Sequence, residues 1–349
     1  MTTLLGAPTT TGSRIAAIGG FRGENLVTND DIAGPINSSD EWIRQRTGIV
    51  TRARADHDTT IADMSTAAAQ DALAKAGITG ADVDAVIVST VTHFEQTPAL
   101  ATIVADRIGA TPAPAFDLSA ACAGYCYGIA QADAMVRAGL ARTVVVVGVE
   151  KMSDFIDPTD RTISFLLGDG AGAAVVTASD QTGIGPTVWG SDGGQAGVIY
   201  QTRSWLDYRH EELGEPEEET PELAEEVSQM RTPTLRQLGP TVFKWVISTI
   251  PGVARQAVAA AGLTLDDIEV FIPHQANMRI TDQLTKLLKL PDSVIVARDI
   301  AETGNTSAAS IPLATERLLR EGTAPSGAVA LQVGFGAGLA YAGQVVVLP

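Results

Sequence analysis

The chain has 349 residues, 45% of them hydrophobic and 19% charged, enough apolar material for one large domain or two ordinary ones. Its 41 acidic residues outweigh 24 basic ones, a formal charge of −17 that argues against nucleic acid as a main partner, because phosphate binding needs basic patches. No apolar run approaches the roughly 18–20 residues of a membrane span, which argues against a membrane partner, and two cysteines do not make a disulfide framework.

The opening stretch lacks the basic start and long apolar core of a secretory signal, so a cytoplasmic location with reduced thiols is expected. Residues 63–77, DMSTAAAQDALAKAG, read as an Ala-rich helix with a Gly stop, and 83–90, VDAVIVST, as a strand buried on both faces. Then comes FDLSAACAGYCYGIAQ, 116–131, with both cysteines at the mouth of a helix that runs on to Gly139. RTVVVVGVE, 142–150, is a second buried strand, and the glycines of LLGDGAGAAVV, 166–176, predict tight turns with close backbone approach. Residues 211–226, EELGEPEEETPELAEE, hold nine glutamates and no basic residue, so they are expected to be a solvated excursion. IEVFIPH, 268–274, and GAVALQVGFG, 327–336, complete the buried strands. Strands alternating with helices imply an α/β fold.

The chain also repeats itself. Residues 76–89, AGITGADVDAVIVS, line up with 261–274, AGLTLDDIEVFIPH, 185 positions on. Cys122 stands 17 residues before Gly139, and Asn305 stands 17 residues before Gly322. Similar offsets at two places point to a duplicated fold: one half over 12–180, a connecting segment with the acidic excursion over 181–236, and a second half over 237–349. On this alignment Cys122 and Asn305 are expected at equivalent helix starts, with His274 at a strand end. In α/β folds such ends gather reactive groups, so Cys122, His274 and Asn305 are expected to meet where the halves join.

A thiol at a helix N-terminus feels the positive end of the helix dipole, which is expected to lower the pKa of Cys122. The alternative is a small buried hydrophobe, the usual fate of a free cysteine. Cys126, one turn deeper, is poorly placed for a disulfide and reads as core filler. No Cys/His pair elsewhere completes a zinc spacing, so no metal is expected. His274 is followed by polar Gln275 and Asn277, which favours a working role over packing, whereas His57 and His93 read as surface or structural. Asn305 is open to a purely structural reading as a helix cap.

With these residues in hand, the sequence resembles the β-ketoacyl-acyl-carrier-protein synthase III family, the condensing enzymes that start fatty acid synthesis. The segments that carry the resemblance are SSDEWIRQRTGI, DLSAACAGYCYG, DPTDR, FLLGDGAGAAVV, FIPHQAN, TGNTSAAS and GFGAG, in that order. The resemblance implies the thiolase fold, a five-layer α-β-α-β-α duplication, and a homodimer. It implies that Cys122 is the nucleophile, with His274 and Asn305 as its partners and the backbone N–H groups of Cys122 and Ala337 holding the oxyanion. It implies acyl-CoA and malonyl-acyl-carrier protein as substrates, with no further cofactor. Trp42, Arg46, Arg161, Gly239 and Phe243 match the family's CoA tunnel, and Lys244, Arg279 and Lys286 match the patch that docks the carrier protein. Thr97 stands where members restricted to short straight primers often carry Phe, and Leu167 replaces a Phe seen in some relatives, which implies an enlarged or reshaped acyl pocket and a primer larger than acetyl, such as a branched one. The same fold and triad would also serve a priming ketosynthase or acyltransferase of a polyketide pathway. A papain-type cysteine protease shares the Cys, His, Asn order, but its local signature is missing.

Overall fold

A computed structural model describes residues 12–213 and 232–349. Positions 214–226 of the acidic run lie outside the described residues. In chain order the strands are β1 (Gly12–Arg22), β2 (Asn25–Thr28), β3 (Thr51–Arg54), β4 (Ala85–Ser89), β5 (Ala115–Leu118), β6 (Thr143–Lys151), β7 (Asp169–Ser179), β8 (Val188–Ser191), β9 (Ile199–Gln201), β10 (Leu235–Gln237), β11 (Val270–Pro273), β12 (Ile295–Val296), β13 (Val329–Gly336) and β14 (Ala340–Val347).

Two five-stranded sheets carry the fold, in the orders β1-β7-β6-β4-β5 and β8-β14-β13-β11-β12. Each strand of the second sheet is the seventh after its counterpart in the first. The pairings match as well: β1/β7 and β6/β7 are antiparallel, as are β8/β14 and β13/β14, and the remaining pairs are parallel in both. The topology is therefore duplicated. Part of the segment 181–236, expected as a connection, joins the second sheet, because β8 is its edge strand.

Helices Ile61–Ala76 and Leu100–Arg107 cover the outer face of the first sheet. Helices Gly124–Arg137 and Ser310–Arg320 lie between the sheets, and Gly239–Ala260 and Met278–Leu288 cover the second sheet outside. This is the five-layer α-β-α-β-α order of the thiolase fold. The middle layer is the most enclosed. Tyr125, Ile129 and Val136 are each fully buried there, with Ile and Val contributing about 1.5–3 kcal/mol apiece. Cys126 packs in the same cluster, as core filler should.

Local sequence explains how the repeat is built. The Thr79–Asp82 and Thr264–Asp267 pairs form the same capping box before β4 and β11. Gly77 and Gly262 both end their helices with a left-handed φ, 69° and 76°. The 185-residue offset holds at each of these points. The second offset needs correction. Ala121 and Ser307 are the matching left-handed residues, φ 45° and 49°, just before the two central helices. The second central helix has 11 residues and the first 14, so counting back from the glycine stops slips the register. Cys122 follows its left-handed residue by one, whereas Asn305 precedes its own by two. The counterpart of Cys122 is Ala308.

The glycines expected to make turns in 166–176 instead lie largely within β7. Close approach is still their purpose: a Cβ on Gly172 would stand 2.6 Å from the Pro312 ring, so the strand could not lie under the second central helix.

Candidate active site

Cys122 sits in a short 3-10 turn, Ala121–Ala123, leading into Gly124–Arg137. β13 crosses directly over it. A Cβ on Gly336 would stand 2.8 Å from Cys122 N and 3.1 Å from its Sγ, so only glycine leaves room for the thiol there. His274 follows β11 and is buried. Its Nδ1 lies 2.7 Å from Ser310 Oγ, and its ring meets Phe335 edge-on at 5.3 Å. Asn305 is held from both sides: its N–H donates to Leu166 O (2.8 Å), and its carbonyl accepts from Gly168 N–H (3.0 Å). Its Oδ1 accepts from Ser307 N–H at 2.9 Å, which leaves the amide NH2 free to donate.

These three residues line one cavity of about 1260 Å3. Its inner end is closed by buried His274, Asn305 and Ser307, and its rim carries exposed Arg46, Arg161 and Arg279. Leu167 lines the inner part, and its backbone bridges Asn305. Gly239, Phe243 and Ala337 also line the cavity. Two guanidinium groups lie against the Trp42 ring, Arg46 at 5.3 Å and Arg161 at 5.2 Å from its centroid.

Lys244 and Lys286 are exposed outside the cavity; Lys286 lies two turns beyond Arg279 on the helix Met278–Leu288, so those two share a face. Thr97 is exposed and does not line the cavity of its own chain. Phe94, Glu95 and Gln96, just before it, do line the cavity. His93 lines the cavity too, with Nε2 3.2 Å from Pro98 O, while His57 is fully exposed.

The electrostatics differ from expectation at the thiol. Burial pushes Cys122 up to about 12, and the neighbouring Glu150 carboxylate adds to the rise, while a hydrogen bond from Ser307 opposes it. Burial also holds His274 down near 3, so the imidazole is neutral at pH 7. Glu150, fully buried, is pushed up to about 7 by burial against hydrogen bonds from Thr92, Val91, Ser307 and Thr90. Sequence reading passed over Glu150, Ser307, Ser310 and Phe335. The signal for Glu150 was present: it is the one acidic residue in the run RTVVVVGVE. Among the described residues no group of three or more His, Cys, Asp or Glu converges to hold a metal ion, and no helix is long and apolar enough to cross a membrane.

The two duplicated sheets and the cysteine-centred cavity where the halves meet define a thiolase-fold protein. The family model for 3-oxoacyl-[acyl-carrier-protein] synthase III matches residues 116–193, and the model of that family's C-terminal part matches 258–348. The chain is 55% identical over 343 residues to a β-ketoacyl-[acyl-carrier-protein] synthase III of Kocuria rhizophila, covering 97% of each, and 53% identical to one of Streptomyces glaucescens, covering 97% of this chain and 96% of the other. Among solved structures it superposes with a TM-score of 0.91 on the priming β-ketosynthase of the R1128 polyketide pathway, at 46% identity, covering 99% of this chain and 98% of that one. The chain belongs to the β-ketoacyl-[acyl-carrier-protein] synthase III family. It is an enzyme, an acyltransferase of the condensing class.

Proposed function

We propose that Cys122 carries an acyl group from acyl-CoA to the decarboxylated carbon of malonyl-acyl-carrier protein. The observation that carries this reading is the convergence of Cys122, His274 and Asn305, from three separate elements, on one cavity with a cationic rim. The CoA arm lies along Trp42, Arg46, Arg161, Gly239 and Phe243, with the adenine stacking between Trp42 and Arg161 once the Arg161 guanidinium moves off the ring. Pro240 takes the first turn of Gly239–Ala260, where its missing N–H has no helical partner to lose. The acyl thioester oxygen lies against the N–H groups of Cys122 and Ala337, and the thiolate displaces CoA.

Malonyl-acyl-carrier protein then enters and loses CO2. Its thioester oxygen takes up enolate charge and meets two neutral donors, the imidazole of His274 and the amide of Asn305. Decarboxylation supplies the carbanion without removal of a C–H proton, so the site uses donors and no carbon base. The carbanion attacks the acyl-Cys122 carbonyl and releases 3-ketoacyl-acyl-carrier protein. Exposed Lys244, Arg279 and Lys286 dock the acidic carrier protein, a local attraction on a chain of net charge −17. Leu167 gives the acyl end room for a primer larger than acetyl, the enzyme needs no bound cofactor, and it works as a cytoplasmic homodimer in fatty acid synthesis.

A second reading, the priming step of a polyketide pathway, is favoured by the likeness to the R1128 priming ketosynthase. Intact mass after mixing with acetyl-CoA, isobutyryl-CoA and longer acyl-CoAs tests the first half-reaction. One acyl adduct, absent in Cys122→Ser, is expected, with higher kcat/KM for isobutyryl-CoA than acetyl-CoA. No adduct with any acyl-CoA overturns the substrate assignment. Adding malonyl groups on fatty acid or polyketide carrier proteins then separates the two pathways.

A further inference from the structure

Glu150 lies near the end of β6, on the face that looks into the middle layer. Two residues earlier, Gly148 leaves a gap: a Cβ there would stand 2.3 Å from the Ala308 carbonyl oxygen. The gap lets the Ser307 turn settle onto the sheet beside Glu150. Ser307 Oγ donates to Glu150 Oε1 at 3.2 Å, and Thr92 Oγ1, Thr90 Oγ1 and Val91 N–H donate to Oε2 at 2.7, 3.2 and 3.1 Å. The carboxyl is fully enclosed, and none of its partners is a cation. Buried carboxylates are ordinarily paired, because an unpaired charge is costly in the interior. A glutamine would accept several of the same hydrogen bonds at less cost. Ser307 lines the same cavity as Cys122, and its turn packs against the Ala121–Ala123 turn that carries the thiol. The Ser307 hydroxyl has one proton: it gives it to Glu150 in the resting site, and toward a thiolate it turns and donates instead, the contact that opposes the rise at Cys122. In the resting site the hydroxyl proton points to Glu150, the order a transfer from S–H through Ser307 to Glu150 requires.

We propose that Ser307 and Glu150 form a proton relay that takes the Cys122 proton during acyl loading and returns it after condensation. The proposal rests on Cys122 being the nucleophile. In loading, the S–H bond breaks as Ser307 Oγ gains the proton, and Ser307 passes its own proton to Glu150 Oε1. Sulfur attacks the acyl carbonyl, and CoA leaves as a thiolate that takes a proton from solvent. In condensation, Cys122 leaves the tetrahedral intermediate as a thiolate. Glu150 gives its proton to Ser307, and Ser307 gives its own to sulfur. The site then holds its starting thiol and carboxylate, and the cycle consumes one solvent proton, as CoA release requires.

The charge count favours this route. Before and after transfer the pocket holds one negative charge, so a thiolate never stands beside a carboxylate. Burial places the Glu150 carboxyl near 7, suited to accepting and returning a proton at neutral pH. His274 is a poor acceptor, since burial holds it near 3. Cys122 is the titratable group facing Glu150 from the turn before Gly124–Arg137. From β7 its partner is Gly170, and Thr90, Thr92 and Ser307 bring only hydroxyls. Lys151, next along β6, sends its Nζ elsewhere, to His57 O at 3.0 Å and Asp154 at 3.4 Å. Ser307, which takes the proton from sulfur in this scheme, is a catalytic residue; Glu150 works through it as a positioning residue.

The test compares two reactions of the same thiol in wild type, Glu150→Gln and Ser307→Gly, the glycine being at ease at φ 49°. Rapid-quench acyl loading at saturating acyl-CoA reads transfer when the ligand fills the cavity and excludes water. Iodoacetamide alkylation reads the thiol with the cavity open to solvent. In wild type the loading rate should rise with pH through an inflection near 7. In both variants loading should fall about 10²-fold and lose that inflection, the low end of what a positioned proton acceptor supplies. Alkylation in Glu150→Gln should hold or speed up, because the opposing charge is gone. Glu150→Gln loading at the wild-type rate or faster overturns the relay, and equal slowing of loading and alkylation shows a damaged turn and overturns it too. Failure of wild type to load any acyl-CoA strikes the substrate assignment instead, and alkylation of Cys122→Ser at the wild-type rate strikes the nucleophile.

Discussion

Replacing His274 with alanine separates the two half-reactions. Ser310 Oγ accepts from Gln275 N–H at 3.3 Å, which frees its own proton for His274 Nδ1. When that hydroxyl donates to Nδ1 the ring proton sits on Nε2, the nitrogen available to the enolate oxygen. Losing one donor at a developing oxyanion costs about 10²–10³ in rate, roughly 2.7–4 kcal/mol. Condensation by His274→Ala should fall by that factor. Loading should change by no more than about threefold, because the thiol proton goes to Glu150 and the loading oxyanion lies elsewhere. The ring packs edge-on against Phe335, so its loss also leaves a void and costs stability, about 2 kcal/mol by comparison with other buried truncations. The chain should therefore remain folded at assay temperature with a lowered Tm. The assay loads Cys122 first, confirms one adduct by intact mass, then adds malonyl-acyl-carrier protein in a single turnover. Loading that collapses together with condensation would refute the division of labour, since it would make His274 the base for the thiol.

The same burial that tunes these groups makes stability pH-dependent. His274 titrates near 3 when folded against 6.5 normally, so the unfolded chain binds the extra proton and stability falls as pH drops below 6.5. Glu150 titrates near 7 against 4.5, so its contribution is complete below 4.5 and stability falls as pH rises toward 7. Between pH 4.5 and 6.5 the two slopes oppose, each about 1.4 kcal/mol per pH unit. Calorimetry should give Glu150→Gln a Tm that climbs with pH relative to wild type and His274→Ala one that falls; unchanged slopes in both would show that neither shift exists. Gly336→Ala should abolish loading, because the new methyl would stand 2.8 Å from Cys122 N, at a strain of about 1–3 kcal/mol; normal loading by mass would contradict the close approach. Arg279→Glu with Lys286→Glu should raise KM for malonyl-acyl-carrier protein without changing the loading rate, and a salt-independent, unchanged KM would remove that face from carrier docking.

Much of the architecture was legible because buried strands are apolar on both faces, and β4, β6, β11 and β13 announce themselves as such runs. The Gly77/Gly262 stops and the Thr–Asp capping boxes kept the same spacing from their strands, so the first offset was reliable. The second failed because helix length is free to vary between halves: three residues missing from the second central helix moved its glycine stop, not its start. The rise in the thiol pKa was not readable either, since a helix start is a local feature and burial a tertiary one.

The duplication explains why neither half contains a complete site. Gly148 on β6 receives the Ala308 turn, from the second half; its counterpart Gly334 on β13 receives the backbone of Cys122 and Ala123, from the first. Each half's central strand is therefore the seat for the other half's turn. Two residues further along, the symmetry is used unequally. Glu150 extends a carboxyl beneath Ser307, while its counterpart Gly336 offers no side chain and leaves the space over Cys122 open. One copy of the position supplies a proton acceptor and the other supplies room for a substrate. A single ancestral half pairing with itself would have placed the same residue at both positions, either two buried carboxylates a short distance apart or two empty seats. Asymmetry at this one pair is what lets a twofold scaffold hold one thiol, one relay and one cavity.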